Sequence, residues 1–264
     1  MLEIKEISKT FNAGTVNEKT ALNGVSLTLN DGDFATVIGG NGAGKSTLLN
    51  AVAGVWPVDQ GSIFIDGVDV THLPEYKRAR YIGRVFQDPM MGTAATMQIE
   101  ENLALARRRG KPRGLRPGIT AAERDEYKEL LKGLHLGLED RMTTKVGLLS
   151  GGQRQALTLL MATLQKPKLL LLDEHTAALD PKTAAKVLEV TDRIIRQEKL
   201  TTLMITHNMR DAIAHGNRLI MLYEGRIVVD VSGEEKKSLT VEDLLGMFEK
   251  VSGEQFASDR ALLS

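Results

Sequence analysis

The chain has 264 residues with 34 basic and 34 acidic side chains, and 34 − 34 leaves a formal net charge of zero. This balance excludes functions that need a globally basic chain, such as coating nucleic acid or an anionic membrane. The sequence contains no cysteine, which excludes disulfides, thiol nucleophiles and thiolate zinc sites and fits a reducing compartment.

The N-terminal residues MLEIKEISKTF alternate charged with apolar side chains and lack the long apolar stretch of a signal peptide. The most apolar short run, Leu169 to Leu172, falls far below the roughly 20 residues that span a bilayer. We therefore expect a folded, soluble chain that reaches a membrane only through a partner.

Apolar or alternating runs predict strands in both halves of the chain. Helical-period stretches separate the later runs, which predicts βα alternation around a parallel sheet, with antiparallel strands near both ends. The predicted strands are Leu2 to Ile7, Val25 to Leu29, Phe34 to Ile38, Tyr81 to Phe86, Lys168 to Leu172, Thr201 to Thr206, Arg218 to Tyr223 and Arg226 to Val231.

Between Asp88 and Gln165 the strand pattern gives way to helical periodicity. We predict one domain over residues 1–264, with a core formed by 1–87 and 166–232, a helical insertion over 88–165, and a short C-terminal helix and tail over 233–264. The predicted helices of the insertion are Ile99 to Arg107, Thr120 to Lys132 and Gly151 to Gln165.

A basic segment lies within this insertion. Residues 107–118 read RRRGKPRGLRPG, and the glycines and prolines predict a loop. Two interpretations stay open: a solvated loop, or a surface that contacts phosphates or lipid head groups. The positive side chains are Arg107, Arg108, Arg109, Lys111, Arg113 and Arg116.

A phosphate-binding loop is predicted over 39–47, where GGNGAGKST satisfies GxxxxGK[ST] between an apolar strand and helical residues. Glycines let backbone N–H groups converge on phosphate oxygens, and the helix N-terminus adds donors and a favourable dipole. In this pattern Lys45 contacts the β- and γ-phosphates of a nucleotide and the Ser46 hydroxyl ligates Mg²⁺. The candidate nucleotide contacts are Gly39, Asn41, Gly42, Ala43, Gly44, Lys45, Ser46 and Thr47.

Two acids follow four leucines in LLLLDE, which ends at Glu174. They stand at the carboxyl end of a buried strand, the edge at which open α/β sheets bind ligands. Asp173 suits the Mg²⁺ shell of a Walker B motif, and Glu174 suits a general base for the attacking water. The alternative is that both acids only begin a loop or cap a helix.

The segment LSGGQ over 149–153 reproduces the signature of ABC-type ATPases, and with the two preceding motifs the chain resembles that family over about residues 1 to 232. The resemblance implies an α/β fold: a P-loop NTPase (RecA-like) core with an antiparallel β edge and an inserted α-helical subdomain. It also implies a second anion site, which binds the γ-phosphate held by the opposite subunit. The alternative for this segment is a flexible linker. Its candidate residues are Ser150, Gly151, Gly152 and Gln153.

Further elements of the family occur in order. Gln87 matches the Q-loop, which would sense Mg²⁺ and water, and Asp180 in Ala-Leu-Asp resembles the D-loop. His207 matches the switch histidine, which would contact the γ-phosphate and orient Glu174 and water. The alternative interpretations are a surface glutamine at a strand end for Gln87 and a structural histidine for His207. The catalytic candidates are Glu174, His207 and Gln87, and the metal candidates are Ser46, Gln87 and Asp173.

Two aromatic positions depart from the commoner family pattern. Phe11 occupies the place of an adenine-stacking aromatic residue that is often tyrosine, and the alternative is core packing. His175 stands where proline commonly follows Walker B, and we predict a loop or interface role for it. No metal-ligand spacing relates it to His72, His135 or His215.

The resemblance implies an ATPase that uses ATP and Mg²⁺, pairs with a second copy head to tail, and powers transport through separate transmembrane permease subunits at the cytoplasmic face of the membrane. We predict a permease-docking groove near Gln87 to Asn102, where Met90, Met91 and Met97 either receive a permease helix or pack in the core. The segment before the signature and the short C-terminal extension favour import of a small solute such as an amino acid, with a solute-binding protein in the complex. The chain resembles uptake-system ATPases for tryptophan- or tyrosine-like substrates, notably in DEHTAALDP over 173–181 and in the basic segment 107–118.

Two other functional classes were considered. A soluble ABC ATPase that acts on nucleic acid or ribosomes is the alternative, but such relatives carry paired cassettes, coiled-coil insertions or cysteine zinc sites. An ATP-binding scaffold without turnover would lack catalytic groups, and Glu174 and His207 are both present. We therefore predict no nucleic-acid partner.

Overall fold

The computed structural model describes residues 1–111 and 117–252. The strands are β1 (Leu2–Phe11), β2 (Lys19–Leu29), β3 (Phe34–Ile38), β4 (Gln60–Ile65), β5 (Val68–Asp69), β6 (Ile82–Val85), β7 (Leu169–Asp173), β8 (Thr202–Ile205), β9 (Arg218–Tyr223) and β10 (Arg226–Ser232). The helices are α1 (Lys45–Ala53), α2 (Glu75–Arg78), α3 (Ile99–Arg107), α4 (Ala121–Lys132), α5 (Gly151–Thr163), α6 (Pro181–Glu198), α7 (Met209–Ala214), α8 (Gly233–Ser238) and α9 (Val241–Ser252).

Two sheets form the core. The larger has the order β10-β9-β3-β8-β7-β6, in which β10 runs antiparallel to β9 and the other pairs are parallel. The smaller is antiparallel, with the order β2-β1-β4-β5. The predicted parallel sheet with antiparallel strands near both chain ends is confirmed, and the fold is that of a P-loop NTPase with an antiparallel β edge.

The four leucines of β7 show why its sequence is continuously apolar. Successive side chains of a strand point to opposite faces, and both faces of this sheet are covered. Leu169 and Leu171 belong to the core beneath α1 and the antiparallel sheet. Leu170 and Leu172 belong to the core on the opposite face, which is shared with α3, α4, α5 and α6. All four side chains are fully buried.

Helices α3, α4 and α5 stand between β6 and β7, where a helical insertion is predicted. Thr120 lies outside α4 as its N-cap, since its hydroxyl accepts a hydrogen bond from the amide of Glu123. The predicted helix that begins at Gly151 ends at Thr163, two residues before Gln165. These differences are confined to element ends.

The described part of the basic segment is tied to its neighbours. Arg107 pairs with Glu126 at 2.6 Å and Arg108 with Glu123 at 3.0 Å, both on α4. Arg109 donates to the carbonyl of Ala162 at 3.0 Å. Three of the six positive side chains are therefore engaged within the chain. Arg113 and Arg116 lie outside the described residues.

Across residues 1–111 and 117–252, no helix combines the length and apolar character that crossing a bilayer requires.

Candidate functional site

The loop after β3 can follow its path only with glycine at two positions. Gly39 has a φ of 150° and Gly44 a φ of 104°, in the region that L side chains rarely adopt. A Cβ at Gly39 would collide with the carbonyl oxygen of Leu222, and one at Gly44 with that of Ala21. The spacing of the motif therefore follows from backbone contacts between this loop, β9 and β2.

Lys45 opens α1 and is 8% exposed. Its Nζ donates to the carbonyl oxygens of Gly39 at 2.8 Å and Gly40 at 3.0 Å, so the ammonium lies within the loop that precedes it. Ser46 follows on the first turn of α1 and is exposed, as are Asn41 and Gly42. Gly44 is the N-cap of α1 and provides no side-chain cap, which leaves the backbone donors of this turn for a ligand.

Asp173 ends β7 beside Ile205, the last residue of the neighbouring strand β8. Burial raises the pKa of the Asp173 carboxyl above its ordinary value, and nearby Arg84 opposes that shift. Nη2 of Arg84 approaches Asp173 Oδ2 at 3.4 Å and donates to Asn50 Oδ1 on α1 at 2.7 Å. Sequence reasoning missed Arg84, although a charged residue inside a buried strand was a signal for it.

Glu174 and His207 meet at the ends of adjacent strands. His207 Nδ1 lies 3.5 Å from Glu174 Oε2, and their side chains are 50% and 22% exposed, respectively. Glu174 has a φ of 41°, and its amide donates to Ile205 at 3.0 Å. The left-handed backbone turns the chain away from the sheet directly after Asp173. The structure thus brings the Glu174 carboxylate and the His207 imidazole together at the carboxyl edge of the sheet, which also carries the phosphate loop.

The signature segment packs elsewhere in the same chain. Ser150 is the N-cap of α5 and exchanges hydrogen bonds of 3.2 and 3.3 Å with Gln153. Asp180 is the N-cap of α6 and accepts from the Thr183 amide at 3.1 Å. A Cβ at Gly152 would collide with Thr183, so the signature and the Asp180 turn are in close contact. The Ser150 hydroxyl and the Gln153 side-chain oxygen each accept from the backbone amide of the other residue, and Gln153 Nε2 donates to the Leu136 carbonyl at 3.4 Å.

Gln87 and Phe11 lie at the periphery of the site. Gln87 is exposed immediately beyond β6. The preceding carbonyl, of Phe86, accepts a hydrogen bond of 3.2 Å from Gln155 on α5. Phe11 packs edge to face on Trp56 with ring centroids 5.4 Å apart, and Trp56 is 42% exposed. Sequence reasoning found Phe11 but missed Trp56, because their contact depends on the bend between α1 and β4.

His175 is not at a surface. It lies in the loop after β7, as predicted, but is 2% exposed, and its Nε2 is 3.2 Å from Thr191 Oγ1 on α6. Burial, together with the nearby charge of His215, lowers the pKa of His175 to about 4. The structure thus agrees with the loop position among the two predicted roles, and in the single chain α6 covers this side chain.

The methionines near Gln87 divide into two groups. Met90 is 42% and Met91 71% exposed, so neither packs in the core of the single chain. Met97 is half-buried. The two exposed methionines remain available on the surface predicted to dock a permease.

Comparison with known proteins gives a consistent family. The family model described as ABC transporter matches residues 22–177. The tyrosine transport ATP-binding protein of Clostridioides difficile is 47% identical over 94% of this chain and 99% of its own length. The methionine import ATP-binding protein MetN of Bartonella henselae is 37% identical over 86% of this chain, which spans 64% of that longer protein.

Solved structures agree with this result. A dimeric post-hydrolysis state of the ATP-binding cassette MJ0796, bound to ADP and phosphate, matches with a TM-score of 0.75 and 29% identity. The match covers 88% of this chain and 98% of that one.

Among longer curated relatives, the spermidine/putrescine import ATP-binding protein PotA of Haemophilus influenzae is 35% identical over 89% of this chain, which spans 59% of that protein.

Proposed function

Because the chain belongs to the ABC transporter family and is an ATP-binding ATPase of that family, we propose that it powers the import of a small solute, such as tyrosine or a related amino acid, through separate membrane subunits. The single observation that carries the catalytic part is the meeting of Lys45, Asp173 and the Glu174–His207 pair at one sheet edge. The solute class rests on the 47% identical tyrosine transport relative.

The assembly we propose has two copies of the chain, transmembrane permease subunits and a solute-binding protein, at the cytoplasmic face of the membrane. The dimeric cassette among the similar structures supports the pairing. Met90 and Met91 are exposed beside the Q-loop and suit adaptable packing against a permease helix.

Binding of ATP begins with the phosphate loop. Backbone N–H groups of residues 39–47 and the N-terminus of α1 face the phosphates, while Lys45 exchanges its carbonyl partners for phosphate oxygens. Phe11 and Trp56 offer an aromatic edge and face for adenine. Ser150 and the glycines of the signature act on the nucleotide of the opposite subunit; within one chain, Gly151 lies against Leu179 and Gly152 against Thr183 of α6.

The donors at the sheet edge fit Mg²⁺, which prefers hard oxygen ligands and binds through few carboxylates plus substrate phosphates. Ser46 offers an exposed hydroxyl, and Asp173 a carboxylate whose hydrogen bond to Arg84 is long at 3.4 Å. Gln87 offers a side-chain oxygen beyond β6. When bound, Mg²⁺ neutralises charge on the phosphate oxygens.

Hydrolysis needs a base for the attacking water. Glu174 accepts the water proton, and His207 holds the Glu174 carboxylate and contacts the γ-phosphate. The observed 3.5 Å separation between His207 and Glu174 is in reach of a hydrogen bond that shortens when substrate binds. The oxygen of the water then bonds to phosphorus as the bond to ADP breaks.

We predict that Glu174→Gln retains MgATP binding but reduces turnover by about 10²–10⁴-fold, because the amide keeps the shape of the side chain and removes the base. ATPase rates and nucleotide titrations of the purified protein measure the two effects separately. Glu129→Gln is the matched control, since Glu129 is an exposed residue of α4 that pairs with Lys132. Near-normal hydrolysis by Glu174→Gln would reject the assignment of the base.

A further inference from the structure

Arg84 is a mostly buried cation that the proposed hydrolysis does not use. It lies on β6, an edge strand that pairs only with β7 in the described sheet, and its side chain is 13% exposed. A charged residue in such a strand costs free energy unless it is paired, so its contacts indicate what it does.

The face on which Arg84 lies is set by strand alternation. A Cβ at the preceding Gly83 would lie 2.5 Å from the carbonyl of Ala162 on α5, so that position faces α5. Arg84 therefore points to the opposite face, toward α1. Leu171 is its register partner on β7, and Asp173 lies two residues further along on that same face. The topology thus brings Arg84 to the carboxylate of Asp173.

The guanidinium connects two parts of the site. One nitrogen, Nη2, reaches both Asn50 Oδ1 on α1, at 2.7 Å, and Asp173 Oδ2, at 3.4 Å. Its central carbon lies 4.5 Å from the ring centroid of Phe86, a cation–π contact. Nε is buried without a hydrogen-bond partner within residues 1–111 and 117–252. The cation is therefore held close to Asp173 but is incompletely satisfied by it.

We propose that Arg84 is a positioning residue that sets the magnesium dependence of ATP binding, by neutralising Asp173 in the metal-free chain and competing with Mg²⁺ for that carboxylate. The inference rests on the proposed role of Asp173 as a metal ligand. It concerns a residue outside the phosphate loop, the Walker B acids, the signature and the switch histidine.

Opposite effects on two forms of the nucleotide follow from this competition. Without Arg84, the uncompensated carboxylate of Asp173 repels metal-free ATP, so that form binds more weakly. With Arg84 removed, Mg²⁺ meets no competing cation, so the metal complex binds as tightly as before or more tightly. A residue that only maintained packing would weaken both forms alike.

The test is titration of the purified full chain with ATP, once in EDTA and once in excess Mg²⁺. Arg84→Gln removes the charge and keeps a donor for Asn50. We define the ratio as the dissociation constant in EDTA divided by that in excess Mg²⁺, and we expect this variant to raise it about tenfold over wild type. Arg84→Lys, which keeps the charge, should hold the ratio within about twofold. Arg109→Met is the control, since Arg109 is a mostly buried arginine whose hydrogen bond within the described residues goes to the Ala162 carbonyl.

A second background isolates the partner. When Asp173 is replaced by Asn, adding Arg84→Gln should leave the ratio unchanged, because the carboxylate for which Arg84 competes is absent. If Arg84→Gln fails to fold, as judged by thermal unfolding, Arg84→Met serves for the same titrations.

The possible failures are distinguishable. If wild-type ATP binding does not depend on Mg²⁺, the proposed metal site itself fails. If wild type depends on Mg²⁺ but Arg84→Gln has the wild-type ratio, or Arg109→Met shifts the ratio equally, the role of Arg84 is overturned while the metal site stands.

Discussion

At the scale of single residues, three neighbouring side chains at the end of β7 lie in different surroundings. Asp173, Glu174 and His175 are consecutive, yet they approach Arg84 on β6, His207 after β8 and Thr191 on α6, respectively. The left-handed φ of 41° at Glu174 separates these directions. One strained residue thus turns three neighbouring side chains to three different environments.

His175 gives a pH prediction with a definite sign. Its folded pKa of about 4 lies below the ordinary value of 6.5, so between these values the unfolded chain binds a proton that the folded chain does not. The contribution of neutral His175 to the free energy of unfolding is fully present above pH 6.5. We expect the free energy of unfolding to fall by up to about 3 kcal/mol as the pH drops to 4. His175→Gln keeps a donor for Thr191, and its unfolding free energy should fall less over that interval in denaturant titrations. Equal losses in the two proteins would contradict the buried neutral histidine.

The sequence identifies the residues of local motifs better than their long-range neighbours. Lys45, Asp173 and Ser150 could be predicted because each motif implies its own loop and backbone geometry. Arg84 stands out in the sequence only as a charge inside a buried strand, and Trp56 does not stand out. The contact of each could not be predicted, since the partner is distant in the chain: Asp173 for Arg84 and Phe11 for Trp56.

At the scale of elements, strands buried on both faces were predictable from continuous apolar runs, whereas β4, β5 and the first half of β2 in the smaller sheet were not. Strand β4 reads QGSIFI, short and interrupted by glycine, and β5 has only two residues. Strand β2 begins at Lys19 rather than at Val25. Its first half is largely polar and exposed, and therefore lacks the apolar pattern that predicts a strand. Pairing rather than propensity forms these strands: β2 and β4 pair with β1, and β5 pairs with β4.

The contact between β6 and α5 can be tested by adding a methyl group. A Cβ at Gly83 would lie 2.5 Å from the Ala162 carbonyl and 2.9 Å from Pro167 Cγ, so Gly83→Ala should lower the free energy of unfolding by about 1–3 kcal/mol. Gly246 on α9 has open space around its Cβ position, and Gly246→Ala should raise that free energy by about 1 kcal/mol. Denaturant unfolding measures both. Stability changes of the same sign would contradict the close packing at Gly83.

At the scale of the whole molecule, two hydrophobic cores on opposite faces of the larger sheet support different motifs. The core beneath α1 holds the phosphate loop, and the core beneath α5 and α6 holds the signature. The P-loop residues and Ser150 therefore belong to different bodies of the same chain. The central claim of the proposed function is that each nucleotide site is completed by the signature of a second copy.

Mixing two inactive variants tests that claim most directly. Lys45→Ala and Ser150→Arg should each lack ATPase activity as pure proteins. In a mixed dimer, one site has both defects and the other has both residues intact. Random mixing makes about half of the dimers mixed, so about a quarter of all sites should be competent.

The decisive measurement is nucleotide trapping in mixed dimers that are assembled on the membrane partner and isolated through two affinity tags. The account predicts one trapped nucleotide per mixed dimer, together with partial recovery of turnover. Verified mixed dimers that neither trap nucleotide nor hydrolyse ATP would contradict sites completed across the interface.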